Sequence, residues 1–196
     1  MAEKIPIPEN VSLKRAFEEI LPRQFKINLA ENPPSRELEG TEFSMQFDIE
    51  GPNGGTWTVI IKDGKNMEVK PGAYDKAVIT MKMLESVWRD SVSGKGAPPI
   101  NLNRQLSGDN AKSNLDALKG IHGKLITHIK KADGSIDSST MIFNKAESPE
   151  TTFRLPMEDY IAMSEGKLDA QEAFMSGRFL IEGDMIFAMQ LSALHM

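Results

Sequence analysis

The amino-acid sequence predicts an α+β protein. Apolar residues alternate with polar ones in short runs separated by glycine-containing turns, a pattern typical of strands and hairpins. Other segments have apolar residues at three- and four-residue spacing, which is typical of helices. The order strand, strand, strand, helix also occurs twice along the chain, which indicates an internal repeat.

Composition and charge limit the classes of function that this protein can have. The chain has 196 residues, 40% of them hydrophobic, with a formal net charge of −5. These values are typical of a globular protein, and an acidic chain without a long Lys/Arg cluster is predicted to have no nucleic-acid partner. The absence of cysteine excludes disulfides and thiolate chemistry. The sequence also has no apolar leader and no run of about 18 apolar residues. Together these features favour a cytoplasmic location.

The first half opens with a predicted helix, capped by Asn10 or Ser12, that Pro22 is expected to end or kink. Alternating apolar residues then predict a strand at 42–50, and the segment GPNGG supplies a tight turn. The remaining predicted elements of this half are strands at 56–62, 66–70 and 76–82 and a helix within 83–95.

The second half repeats this order in weaker form. It is predicted to contain a hairpin turning at Asp133–Gly134, a strand at 151–157, a helix ending at Gly166 and a short helix capped by Asp169. A strand at 178–182 then leads into a last helix that is apolar on nearly all sides. Such a helix needs two apolar partners: one is the sheet, and the other is protein, a second subunit or a bound apolar ligand.

Two pairs of segments support the repeat. Residues 78–95 match 152–167 with one small gap, and residues 107–118 faintly echo 182–194. We therefore predict a first unit over 1–119 and a second over 120–196, with one continuous body as the alternative arrangement.

The chain contains 12 Met. Met is flexible and polarizable, which suits the wall of a site that accepts ligands of varied shape. The alternative interpretation is that these residues fill an ordinary core.

The segment TTFRLPMEDYIAMSEGKLDAQEAFMSGRFLIEGDMIFAMQL resembles the C-terminal half of the sterol carrier protein type two domain, the non-specific lipid-transfer family. The shared features are a strand, a helix ending in Gly-Lys, a short helix with Ala-Phe, a strand and a Gly-Asp start to the last helix. Residues 51–95 are similar to the hairpin half of the same domain. The segment 96–151 lies between these two matching parts and makes the chain longer than one copy of the domain. The chain is therefore either two incomplete copies that share one body or one copy with an insertion.

The resemblance implies a curved, mixed and mainly antiparallel sheet, covered on one face by helices that enclose an apolar tunnel for lipid. Each position that it assigns to the tunnel wall could instead be plain core. These positions are Trp57, Val59, Met81, Met83, Phe174, Met175, Phe179, Ile181, Met185, Ile186 and Met189. The chain ends in Ala-Leu-His-Met instead of Ser-Lys-Leu, so peroxisomal import is not predicted.

The sequence contains no recognisable catalytic constellation. His122, His128 and His195 lack metal-ligand spacing, and GPNGG lacks the Gly-Lys-Ser/Thr ending and following helix of a phosphate loop. The Glu158–Asp159 pair opens a helix, where the macrodipole favours acidic residues. We therefore predict a protein that is not an enzyme and that has neither a cofactor nor a metal.

Two functions follow from these observations. The first is a lipid carrier that holds a fatty acyl, sterol-like, quinone-like or other isoprenoid ligand. The second is an accessory or scaffold subunit that presents such a lipid to a partner enzyme or docks it. Transient membrane contact and a homodimer stay open, as do the number of binding sites and the direction of transfer.

Overall fold

The computed structural model describes residues 7–8, 10–97 and 110–192. It contains an eight-stranded mixed sheet in the order β3-β2-β1-β4-β6-β5-β7-β8. The strands are β1 (Glu42–Glu50), β2 (Gly55–Lys62), β3 (Asn66–Pro71), β4 (Ile79–Leu84), β5 (Gly123–Lys130), β6 (Ile136–Phe143), β7 (Glu150–Pro156) and β8 (Leu180–Gly183).

The helices of the described residues follow the predicted positions, with one addition. They are α1 (Leu13–Arg15), α2 (Leu21–Glu31), α3 (Glu85–Ser93), α4 (Ala111–Gly120), α5 (Met157–Ser164), α6 (Ala170–Met175) and α7 (Met185–Ser192). Helix α4 is the addition, because the sequence suggested only a faint echo of the last helix there. The predicted C-terminal end of the last helix and His195 lie outside the described residues.

The N-terminal helical segment neither ends nor breaks at Pro22. Ser12 caps it, its hydroxyl accepting a hydrogen bond from the Arg15 amide at 3.2 Å. A π-helical turn (Ala16–Ile20) then precedes Pro22, and the Leu21 amide bonds the Ala16 carbonyl. Proline lacks an amide hydrogen and is tolerated in a first helical turn, and Pro22 is the second residue of α2, so the helical segment continues through it to Glu31.

The two halves of the sheet have the same connectivity. In the first half, β1 pairs antiparallel with β2 and parallel with β4. In the second half, β5 pairs antiparallel with β6 and parallel with β7. In each half the parallel strand leads directly into a helix, α3 or α5, and an antiparallel pairing of β4 with β6 joins the halves into one sheet.

The helices cover one face of the sheet, as predicted. Residues directly paired on neighbouring strands point to the same side, and this face carries, for example, Met45, Val59 and Ile79. The opposite face of β1 and β2 carries mainly polar residues and is crossed by the loop 72–77, whose Gly72 carbonyl accepts a hydrogen bond from the Thr58 hydroxyl at 2.9 Å. The mixed α+β sheet predicted from the sequence is therefore confirmed.

Three apolar clusters lie between the sheet and the helices in the described part of the chain. A central cluster joins β1, β2, β4, β5 and β6 to α2, α4 and α7, with Phe143 and Phe187 fully buried. A tryptophan cluster stacks Phe17 between Trp57 and Trp88, at ring-centroid distances of 4.9 and 5.3 Å. An edge cluster joins β5 and β7 to α5 and α6.

Candidate functional site

The structure divides the predicted wall residues into three groups. The first group is buried in the core and comprises Trp57, Val59, Met81 and Phe179, each at most 8% exposed. Val59 belongs to the central cluster, Trp57 to the tryptophan cluster and Phe179 to the edge cluster. These side chains pack against protein.

The second group is exposed. Met175, Ile186 and Met189 have 78%, 73% and 68% of their surface accessible, and Phe174 and Met185 have 43% and 44%. They lie on α6 and α7, whose other sides are buried through Ala173 on α6 and Phe187 and Leu191 on α7. The two helices therefore bind the sheet with one side and present apolar side chains on the other.

The third group, Met83 and Ile181, lies on the helix-covered face and is only partly buried. The strand register places both in one row that crosses five strands. This row, here called the central strip, consists of Met83, Ser139, Thr127, Phe153 and Ile181. The sequence analysis did not single out Ser139, Thr127 or Phe153, because only the pairing of β5 with β6 and β7 brings them beside the predicted residues.

The central strip lies where the apolar clusters meet. Met83 packs against the tryptophan cluster, Ile181 against the edge cluster, and Phe153 against both the central and the edge cluster. Four of its five residues retain accessible surface although helices cover this face, while Thr127 is 9% exposed. The packing of helices on sheet is therefore incomplete along this row.

The middle of the strip is polar. The Thr127 and Ser139 hydroxyl oxygens are 2.7 Å apart and hydrogen-bonded to each other. In the next row of the same face, Asp137 lies opposite Ile129 and is 6% exposed. The strip thus combines an apolar surface with a small polar group at its centre.

A lysine and two carboxylates lie at one end of this polar region. The Lys131 Nζ is 2.8 Å from Asp137 Oδ1 and 3.1 Å from Asp90 Oδ2 on α3. Hydrogen bonds to the carboxylates of Asp137 and Asp90 raise the pKa of Lys131 to about 12. The remaining oxygen of Asp137, Oδ2, is buried without a hydrogen-bond partner.

A separate surface depression of about 280 Å³ lies beside α3. It is lined by the N-terminal residues Ile7 and Pro8 and by the outer side of α3, including Ser86 and Val92. None of the predicted wall residues lines it, but Asp90, which binds Lys131, does.

The glycine segment GPNGG forms the predicted hairpin turn between β1 and β2. The Glu85 carboxylate, at the start of α3, accepts a hydrogen bond from the Asn53 amide at 3.2 Å and binds Arg89 through Nη2 at 2.7 Å. These hydrogen bonds lower the pKa of Glu85, that from the Arg89 side chain most of all. A carboxylate therefore lies beside the turn and accepts a hydrogen bond from its backbone.

The described histidines have local hydrogen bonds. His122 Nδ1 is 3.0 Å from the Gly120 carbonyl, and His128 Nδ1 is 2.8 Å from the Ser138 hydroxyl. Within 7–8, 10–97 and 110–192, no group of His, Asp or Glu residues is arranged to hold a metal ion. The helices of these same ranges are each too short or too polar to cross a membrane.

Comparison with protein families gives a match over the C-terminal half of the chain. Residues 100–195 match the SCP-2 sterol transfer family. A curated relative, the peroxisomal multifunctional enzyme A of Dictyostelium discoideum, is 27% identical over 141 residues, covering 67% of this chain. The chain spans 31% of the length of that relative.

Solved structures of sterol carrier proteins are also similar to parts of the chain. Sterol carrier protein 2 like 2 of Aedes aegypti is 20% identical, with a TM-score of 0.33, over 43% of this chain and 94% of that one. Sterol carrier protein domain 2 of Helicoverpa armigera is 24% identical, with a TM-score of 0.36, over 44% and 76% of the two chains. The family match supports lipid binding or transfer in general.

Proposed function

We propose that the protein is a non-enzymatic lipid carrier, because residues 100–195 match the SCP-2 sterol transfer family. Its ligand is a long apolar molecule with a fatty acyl, sterol-like or other isoprenoid body. The ligand lies between the helices and the sheet, against the central strip. This site is the location that we assign to the predicted tunnel.

One observation carries the proposal: a row of five residues on the helix-covered face in which Met83, Ser139, Phe153 and Ile181 keep accessible surface. An apolar ligand in contact with this row gains roughly 25 cal/mol for each Å² of apolar surface removed from water. Binding sites for small molecules are typically concave and mostly apolar, with a few polar groups that set orientation. The strip has that composition.

The exposed side chains of α6 and α7 are proposed to contact the lipid before it enters the site between helices and sheet. Met175, Met185, Ile186 and Met189 are the flexible or apolar groups that a lipid meets when it approaches this side of the sheet. We place the path of the ligand between α6 and α7, because α6 precedes and α7 follows β8, the strand that carries Ile181 beside Phe153.

Native mass spectrometry of the purified protein, followed by solvent extraction, tests this function. We expect a defined number of bound lipid molecules, or stoichiometric uptake when the protein is mixed with acyl chains or sterols. A mass of the protein alone that stays unchanged after lipid is offered would contradict the carrier function. The stoichiometry also distinguishes one binding site from two.

A second candidate is a scaffold that presents lipid to an enzyme. It is favoured by the exposed apolar residues of α6 and α7, which suit a protein partner as well as a lipid, and by a relative that is a multifunctional enzyme. If lipid is neither extracted nor taken up, the scaffold is the function to test, by measuring whether a candidate enzyme binds wild type and loses affinity for Met189→Glu. The cytoplasmic location is likewise a proposal, to be checked by microscopy of the tagged protein.

A further inference from the structure

We propose that Thr127 and Ser139 bind the polar end of the ligand, and that this end is a neutral hydroxyl group. The proposal rests on the proposed lipid-carrier function and adds the chemical class of the ligand. A lipid alcohol, whether a long-chain alcohol or a sterol, has this group in common.

The position of the pair in the sheet is the first argument. Ser139 lies directly beside Met83 on one side and Thr127 on the other, and Thr127 lies beside Phe153. The two hydroxyls are therefore flanked by apolar side chains along the row. A ligand whose apolar body lies along the strip can therefore form a hydrogen bond through its polar group at this point.

The hydrogen-bonding capacity of the pair is the second argument. Each hydroxyl has one hydrogen to donate and two lone pairs to accept. One hydrogen joins the two oxygens at 2.7 Å, and the Thr127 oxygen is also 3.4 Å from the Ser139 carbonyl oxygen. When Ser139 donates to Thr127, the Thr127 hydroxyl donates to that carbonyl, so both hydroxyl hydrogens are used. The pair keeps unused lone pairs and can therefore accept a hydrogen bond from a ligand hydroxyl.

The unpartnered oxygen of Asp137 is the third argument. Asp137 and Ser139 are two residues apart on β6, so their side chains lie on the same face of the sheet. Asp137 Oδ2 is buried with no hydrogen-bond partner, which is costly for a carboxylate oxygen. The polar region formed by the strip and the next row therefore has more acceptors than donors, which favours a ligand end that donates a hydrogen bond.

The local charge distinguishes a hydroxyl from a carboxylate. Lys131 is held between Asp137 and Asp90 at 2.8 and 3.1 Å, so two negative charges surround one positive charge. The hydrogen bonds from Lys131 are directed at these aspartates. An ionised fatty acid would bring a third negative charge next to them, where charges of the same sign repel each other.

Three fluorescent probes with the same pyrene label and alkyl chain test the proposal: a terminal alcohol, a terminal carboxylic acid and an unsubstituted alkane. At pH 8 the acid is ionised and the alcohol is neutral. We expect wild-type protein to bind the alcohol about tenfold more tightly than either of the other two probes, because one hydrogen-bonded polar group typically changes affinity by about that factor.

The double variant Thr127→Val, Ser139→Ala removes both hydroxyls with little change in volume. We expect the double variant to bind the alcohol only as tightly as it binds the alkane. Its affinity for the alkane should equal that of wild type. Ser139→Ala alone, which keeps Thr127, provides the same comparison if the double variant folds poorly. Ser138→Ala is the matched control, because Ser138 lies on the other face of β6 and bonds His128.

The outcomes separate this inference from the proposed function. Loss of the preference for alcohol in the double variant, but not in Ser138→Ala, supports the proposal. A wild-type preference for the acid or the alkane, or a preference for alcohol that the double variant keeps, overturns it while leaving the carrier function intact. Failure of all three probes to bind contradicts the carrier function itself.

Discussion

Asp159 lies in the first turn of α5 with 1% of its surface exposed, and its carboxylate accepts hydrogen bonds from the Arg178 guanidinium, including one from Nε at 3.0 Å. The sequence analysis attributed the acidic residue at this position to the helix macrodipole, which favours negative charge in the first turn. The structure adds a partner that lies 19 residues later, before β8. The ion pair therefore ties α5 to the segment that leads into β8.

Replacing Arg178 with Ala is expected to destabilise the protein by about 2 to 3 kcal/mol. Removing one partner of a buried pair typically costs about 3 to 5 kcal/mol, and the Arg178 side chain is itself 49% exposed, which reduces the effect. Urea unfolding measures the change. Arg154→Ala, which removes an exposed pair with Glu182, is the control with an expected change below about 0.5 kcal/mol.

Glu85 gives the protein a predictable response to acid. Its folded pKa is below the ordinary value of 4.5, so its contribution to stability is complete above about pH 4.5 and is lost as the pH falls through the folded pKa. We expect Glu85→Gln to be less stable than wild type at pH 7 and to lose less stability between pH 5 and pH 3. Thermal unfolding across this range tests the effect, and parallel curves for the two proteins would contradict it.

At the scale of elements, α7 accounts for the apolar C-terminal segment. Phe187, Ala188 and Leu191 are buried, and Phe187 contacts Phe143 with ring centroids 6.2 Å apart. The remaining apolar side chains, among them Met185 and Met189, face outward. The sequence predicted that such a helix needs two apolar partners, and the structure provides the sheet as one of them.

Met185→Glu and Met189→Glu are expected to abolish lipid uptake and leave the fold intact. Both side chains are exposed, 44% and 68%, so a charge there costs little stability but disfavours contact with an apolar ligand. Fluorescent lipid binding and circular dichroism measure the two effects. Gln190→Glu on the same exposed side is the matched control, and unchanged binding by both Met variants would show that α7 is not part of the site.

The whole molecule is organised by the pairing of β4 with β6. Ile79 on β4 lies opposite Phe143 on β6, and both belong to the central cluster. This pairing gives each half a neighbouring strand from the other. We infer that the two predicted units share one body and do not fold as separate domains.

A single calorimetric transition is expected for the full chain, with equal calorimetric and van't Hoff enthalpies. Ile79→Ala should shift this whole transition downward by about 2 to 4 kcal/mol of stability, because Ile79 is 1% exposed within the central cluster. Ile136→Ala, at a position 57% exposed, is the control with a small effect. Two transitions, of which Ile79→Ala moves one, would contradict a shared body.

The sequence by itself determined the local elements and the fold class, because apolar periodicity, caps and turn residues act over a few positions. Ser12, Asp169 and the turn at Gly183–Asp184 mark element ends that the structure confirms, with the Asp169 carboxylate accepting bonds from two amides. Helix α4 was missed because its buried stripe of Ala111, Leu115 and Leu118 is short.

Only the tertiary structure decided which side chains share the central strip and which are buried or exposed. Thr127, Ser139 and Phe153 become neighbours through strand register, and register depends on pairings between residues far apart in the chain. The same long-range packing buries Val59 and Phe179 while exposing Met175 and Ile186, although all four are apolar in sequence. Apolar character favours removal of a side chain from water. The fold determines whether that side chain packs against protein or stays accessible to a ligand.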